Sequence, residues 1–134
     1  MDIATPRQTV DQLYAAFGAG DVPGILALLH PEVVWTFNCP NPPVSNGGTF
    51  HGHAGATEFF VSVGTHEDLA VFAIDDIIAE GNHVAVRGHE KGTHRTTGKS
   101  WECPWVHWWT VVDGLVTRYE GYIDSAAVSA AYTS

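Results

Sequence analysis

WECPWVHWWTVVDGLVTRYEGYID, residues 101–124, is the stretch whose reading decides the fold. Two runs rich in β-branched and aromatic residues flank Asp113-Gly114, a pair suited to the positive backbone angles of a two-residue hairpin. The spacing predicts a long strand over 101–112 and its partner over 115–124. With Val112 opposite Leu115, an ideal ladder puts Trp101, Cys103, Trp105, His107, Trp109 and Val111 on one face. Asp124, Tyr122, Glu120, Arg118 and Val116 lie across from them. The other face carries Val106, Trp108, Thr110, Val112, Leu115, Thr117, Tyr119 and Ile123. A sheet with one wet side alternates apolar with polar, whereas both of these faces are largely apolar. One face is therefore expected to line a hollow, and the other to be covered by a second subunit, sheet on sheet. Exposed Val, Thr and Tyr are ordinary on strands, so the homodimer expectation leans on Trp108.

Working upstream, residues 69–79 and 83–93 read as two more strands of an antiparallel meander, with turns at Glu80-Gly81-Asn82 and Thr96-Thr97-Gly98-Lys99. His53 to Val63 reads as a helix anchored by Phe59, Phe60 and Val63. Residues 38–52 read as a long loop broken by Pro40, Pro42, Pro43, Gly47 and Gly48, with Asn38, Asn41 and Asn46 as turn formers. Such a loop in a small domain commonly covers a cavity. Val33 to Phe37 is a strand. The first helix opens with Thr5 as cap, Pro6 at the first helical position and Gln8 closing a capping box. Val10, Leu13, Tyr14 and Phe17 give it one apolar stripe before Gly18 and Gly20 end it. Asp21 caps a second, shorter helix read through Leu29 and stopped before Pro31. Ser125 to Tyr132 is Ala-rich and reads as a short helix. Helices first and strands afterwards mean α+β, as a single domain over 1–134.

Composition narrows the function. The 134 residues are 45% hydrophobic with five tryptophans, enough to bury a core and to wall a cavity. Six basic residues against fifteen acidic give a net charge of −9, which disfavours nucleic acid and anionic membrane surfaces as partners. No apolar run approaches membrane-spanning length, and Met1 to Arg7 shows no leader pattern, so a cytoplasmic location is the expectation. Cys39 and Cys103 are expected to be reduced and buried. Eight histidines show no HExxH or paired His/Cys spacing, so no metal is expected. Walker, dinucleotide and GxSxG patterns are absent as well, so no cofactor is expected.

The element order resembles the nuclear transport factor 2-like fold. Tyr14-Ala-Ala-Phe17 leading into Gly20-Asp21 is similar to the first helix and turn of SnoaL-like proteins, and Pro31-Glu32-Val33-Val34-Trp35 to their first strand. Thr97-Gly98-Lys99, the Pro104 to Thr110 run, Asp113-Gly114 and Tyr122-Ile123-Asp124 resemble the family's C-terminal hairpin. The resemblance implies three N-terminal helices on a strongly curved, mainly antiparallel sheet that closes a cone around an apolar pocket. It also implies isomerase, cyclase or dehydratase-type acid–base chemistry on a hydrophobic cyclic or polyketide-like carbonyl compound. A non-catalytic carrier of a small apolar ligand is the alternative on the same fold. No acid stands on Trp35-Thr36-Phe37-Asn38, where ketosteroid isomerases carry their base, and the Arg–Asp pair of epoxide hydrolases is not evident.

Asp124, His107 and Tyr14 are the candidate catalytic residues, because apolar walls move carboxylate and imidazole pKa values toward neutrality. Each has a plainer reading: Asp124 as the cap of the tail helix, His107 as a core histidine bonded to Glu120, Tyr14 as core. Trp35, Phe37, Phe59, Trp105, Trp109, Glu120 and Tyr122 are the candidate ligand contacts. Arg118 reads as a substrate-carboxylate binder or a cross-strand ion-pair partner. In the ideal register Glu120 faces His107, and Asp124 stands four residues away, about 13 Å along the strand. Gly121 is a candidate bulge that would change facing beyond it.

Overall fold

The computed structural model describes residues 3–134; Met1 and Asp2, the start of the stretch in which no leader pattern is read, lie outside the described residues. Six strands form one sheet in the order β2-β1-β6-β5-β4-β3. They are β1 (Leu29–Phe37), β2 (Gly48–His51), β3 (Glu67–Glu80), β4 (His83–His94), β5 (Ser100–Val112) and β6 (Leu115–Ile123). Only the β1–β6 pair is parallel, which brings the N-terminal strand beside the last one. Helices α1 (Pro6–Gly18), α2 (Val22–Leu26) and α3 (Gly52–His66) precede the meander, and α4 (Ser125–Tyr132) follows it. The chain is α+β as expected.

Local chemistry starts the helices where the sequence says. Thr5 Oγ1 accepts from the Gln8 N–H at 3.2 Å and Gln8 Oε1 accepts from the Thr5 N–H at 2.9 Å, a complete capping box with Pro6 next in line. Asp21 caps α2 through the Gly24 N–H at 2.9 Å. The second helix is shorter than read, however. It ends at Leu26, and Leu29 already pairs with Val116 in the sheet. The Val116 N–H donates to Leu28 O at 2.8 Å, so sheet pairing takes over these leucines. The long loop also contains an unexpected strand, because Gly48–His51 pairs antiparallel with Val34–Phe37. Helix α3 outruns its predicted span by one residue at its start and by three at its end.

The concave face of the sheet carries the core. Buried residues alternate along β5 (Trp101, Cys103, Trp105, His107, Trp109, Val111), as the ideal ladder requires. Val10 and Leu13 of α1, Ile25 of α2, and Phe59 and Phe60 of α3 close over the turn-proximal half. At the other end α4 lays Val128 and Ala131 against Trp101, Cys103, Cys39 and Val44. Both cysteines are free and buried. The convex face stays apolar in part, with Val106 41%, Trp108 39%, Val112 40% and Tyr122 46% exposed in the single chain.

The β5–β6 hairpin corrects the ideal register. Val112 pairs with Leu115 and Val111 with Val116, but Thr110 then pairs with Arg118, leaving Thr117 as an extra residue. The bulge therefore lies at Thr117, four residues before Gly121. Beyond it every facing inverts. Tyr119, expected outside, is buried beside Trp109, while Glu120, expected opposite His107, pairs with Trp108 and points outward. Gly121 now stands opposite His107. A methyl group there would lie 2.1 Å from the Tyr119 hydroxyl, so the inverted ladder itself demands glycine.

Candidate functional site

A cavity with about 70 Å³ open to the centre of a water molecule lies between the concave sheet face and the helices. That is several times the roughly 10–15 Å³ a single water needs. Its walls are mostly aromatic. Phe17, Phe59, Phe60, Phe72, Trp35 and Trp109 all face it, with Leu13, Val63 and Leu69 filling between them. Five polar or titratable side chains other than Tyr119 break this surface, in two groups set apart along the strands.

The first group gathers around His107. The ring is 8% exposed, stacks on Trp105 at 3.9 Å between centroids, and lies nearly parallel to Tyr14. Tyr14 Oη is 2.6 Å from His107 Nδ1, and Trp109 Nε1–H donates to the same hydroxyl oxygen at 3.1 Å. Trp109 is only a donor, so Tyr14 accepts from it and has its own O–H free for Nδ1. Burial lowers the His107 pKa to about 3, so the ring is neutral, and with the Tyr14 O–H given to Nδ1 its one proton is on Nε2. Burial likewise pushes Tyr14 far above the ordinary tyrosine value, against a smaller lowering by the Trp109 bond. This end is thus a chain of neutral groups. His107 Nε2 has no protein partner among the described residues, and it presents a donor to the cavity. Trp35 also lines the cavity, and its indole N–H is buried with no partner among the described residues.

The second group lies toward α4. Glu67 Oε2 accepts from Asn46 Nδ2 at 2.8 Å and from the Tyr132 hydroxyl at 2.5 Å. Glu90 Oε2 accepts from Trp101 Nε1 at 2.8 Å. Burial raises both carboxyls, Glu90 to about 7, with the indole bond opposing and the Glu67 charge adding to the rise. The same burial, and the neighbouring carboxyls, push the Cys39 thiol up to about 12, so it is no nucleophile at neutral pH. Asn46, read from the sequence as a turn former, is fully buried and lines the cavity.

Of the residues singled out in the sequence, the fold brings Tyr14, His107, Trp35, Phe37, Phe59 and Trp109 to this one cavity. Trp105 is buried behind it, stacked on His107 and Phe72. Four others lie elsewhere. Glu120 bonds Arg118 Nε at 2.7 Å and the Tyr122 hydroxyl at 3.0 Å on the convex face, a consequence of the Thr117 bulge. Arg118 is thus an ion-pair partner of Glu120. Asp124 is exposed and caps α4 by accepting from the Ala127 N–H at 3.0 Å. Glu67, Glu90, Asn46 and Tyr119 were not singled out. Glu90 carried a signal, since Val84, Val86, Gly88 and Glu90 share one face of β4 by simple alternation. Glu67 precedes the span read as strand, and Asn46 sits in a loop, so neither had a periodic signal. Among the described residues no group of three His, Cys, Asp or Glu side chains is placed to hold a metal ion, and no helix is long and apolar enough to cross a membrane.

Solved structures share this architecture across the whole chain. An NTF2-like protein of unknown function from Burkholderia pseudomallei is 34% identical, with TM-score 0.86 over 98% of this chain and 100% of that one. A second, from Burkholderia xenovorans, is 28% identical with TM-score 0.88 over the same shares. TerC, crystallised with polyporic acid, is 31% identical with TM-score 0.82, again over 98% and 100%. None of the functionally curated proteins matches the chain. The SnoaL-like domain profile matches residues 10–119, which takes in the fold from the first helix to the inner tyrosine of the last strand, and the chain belongs to the SnoaL-like family.

Proposed function

We propose that the cavity is an active site for general acid–base chemistry on a hydrophobic, conjugated cyclic carbonyl compound, of the isomerase or cyclase kind. The observation that carries this reading is the pairing of opposite polar groups across aromatic walls. His107 Nε2–H is held neutral and steadies a carbonyl oxygen as charge grows on it. Glu90, with a pKa of about 7, takes a proton from the conjugated system and returns it elsewhere. Tyr14 positions the imidazole and fixes its tautomer. Glu90 pairs with Cys103 and His107 with Val86, so their strand levels differ by four residues, about 13 Å at the backbone. The two groups therefore meet the ligand from different sides. The relative crystallised with polyporic acid supports a cyclic ligand class.

Deuterium incorporation into 1-tetralone and 3-methylcyclohex-2-enone, followed by NMR in D2O, tests this. The protein should accelerate exchange, and Glu90→Gln should lower the rate by about 10²–10⁴-fold while both ketones still bind. Binding without acceleration selects the other reading, a carrier of an apolar ligand. One observation favours that reading: neither Tyr14 nor His107 changes charge near neutral pH.

The convex face is proposed to pair with a second copy, burying Val106, Trp108, Val112 and Tyr122. Trp108→Glu should give monomers in sedimentation velocity, and dimers that survive it would reject this interface.

A further inference from the structure

Two lining residues carry a buried polar atom that has no hydrogen-bond partner among the described residues. Trp35 Nε1 is a donor, and Asn46 Oδ1 is an acceptor. A buried polar group left unpaired forfeits its hydration with nothing in return, so each calls for a reason. We propose that the Asn46 end of the cavity is a subsite for a hydroxyl group, so that the ligand is a cyclic carbonyl compound bearing a hydroxyl at the end remote from its carbonyl. This rests on the carbonyl-binding reading of the His107 end and adds a specificity-determining residue to it.

The inventory of donors and acceptors fixes the chemistry. At this end every side-chain donor is spent: Asn46 Nδ2 and the Tyr132 hydroxyl on Glu67 Oε2, and Trp101 Nε1 on Glu90 Oε2. Asn46 Oδ1 accepts only, as do the Glu67 and Glu90 oxygens whenever those carboxyls are ionised. Asn46 Oδ1 is buried with no partner among the described residues. The amide orientation follows from its neighbours, because the reverse would set Oδ1 against the Glu67 carboxyl. A ligand carboxylate or phosphate is thus excluded: two carboxyls stand here and no Lys or Arg lines the cavity. An ammonium would have to give up its hydration among aromatic walls, where burial already disfavours charge on the carboxyls themselves. A neutral hydroxyl satisfies Asn46 Oδ1 at the lowest desolvation cost.

The acceptor is also preorganised. Val44, fully buried, donates to Pro40 O at 2.9 Å, and the Gly47 N–H donates to Val44 O at 3.0 Å, fixing the loop on both sides of Asn46. Gly47 is packed so closely that a methyl group would lie 2.3 Å from Cys39 O. The loop therefore holds Asn46 in place before any ligand arrives.

Calorimetric titration with 1-tetralone, 6-hydroxy-1-tetralone, 6-methoxy-1-tetralone and 6-(aminomethyl)-1-tetralone tests the subsite. The hydroxy ketone should bind about tenfold more tightly than 1-tetralone or the methoxy ketone, the worth of one net hydrogen bond to a buried acceptor. Asn46→Leu should erase that preference, so that the hydroxy ketone and 1-tetralone bind the variant alike. Should Asn46→Leu not fold, the wild-type preference decides alone. Equal binding of 1-tetralone and its hydroxy derivative overturns the subsite but spares the carbonyl reading, as does tightest binding of the aminomethyl ketone. Failure of all four ketones to bind overturns both.

Discussion

The two ends of the cavity are buried alike and behave oppositely. His107 and Glu90 are each 8% exposed and each lose the solvation of their charged form. For the imidazole this lowers the pKa to about 3, for the carboxyl it raises the pKa to about 7, and desolvation is the leading cause in both. One physical term thus yields a neutral donor at one end and, at the other, an acceptor poised to titrate. The difference comes from the sign of the ionised form rather than from separate devices. Supporting bonds sharpen it: Tyr14 locks the imidazole tautomer, while indole Trp101 only partly offsets the burial of Glu90.

Breaking the donor end outright has the largest expected effect. Trp109→Ala removes the bond to Tyr14 together with contacts to Trp35 and Tyr119, and urea unfolding should show a loss of about 3–5 kcal/mol. The two ends should next separate by pH. On folding, Glu90 rises from its ordinary 4.5 to about 7, so the folded state holds the proton more tightly and stability falls as pH climbs between those values. His107 drops from 6.5 to about 3, so stability falls as pH is lowered through that window. Relative to wild type, Glu90→Gln should gain stability with rising pH between 4.5 and about 7. His107→Phe should gain it with falling pH below 6.5. Each slope approaches about 1.4 kcal/mol per pH unit at most. Glu67 shares the sign of Glu90, and His94, lowered by burial and by His66, shares that of His107. Parallel pH profiles of both variants and the wild type would erase the contrast between the ends. The smallest effect belongs to Tyr14→Phe, which leaves Trp109 Nε1 and His107 Nδ1 unpaired at about 1–3 kcal/mol. Nitrogen NMR of His107 should then report a mixture of tautomers in place of one.

Much of the architecture was legible because it is local. The Thr5–Gln8 capping box, the Asp113-Gly114 turn and the alternation of Trp101 through Val111 each depend on neighbours in sequence, and each stands as read. The inward placement of His107 and the tryptophans followed from that alternation alone. The register past Thr117 did not, because a bulge changes no composition and needs only one residue to invert a face. In retrospect the apolar step from Val116 to Tyr119 spans three residues where an unbroken strand would take two, and that mismatch was the one available sign. Strand β2 was not legible because Gly48 and Thr49 fill two of its four positions, which carry no pattern until β1 offers them an edge.

By itself, then, the sequence determined the α+β order, the polarity of the β5 faces and the aromatic character of the wall, since these follow from periodicity and side-chain type. Only the tertiary structure decided which acids reach the hollow. Asp124 went to a helix cap and Glu120 to the convex surface, while Glu67, Glu90 and Asn46 were carried inward by strands and a loop distant in the chain. Desolvation acts on whatever the folded chain encloses, and enclosure is a property of contacts between segments that no single segment encodes.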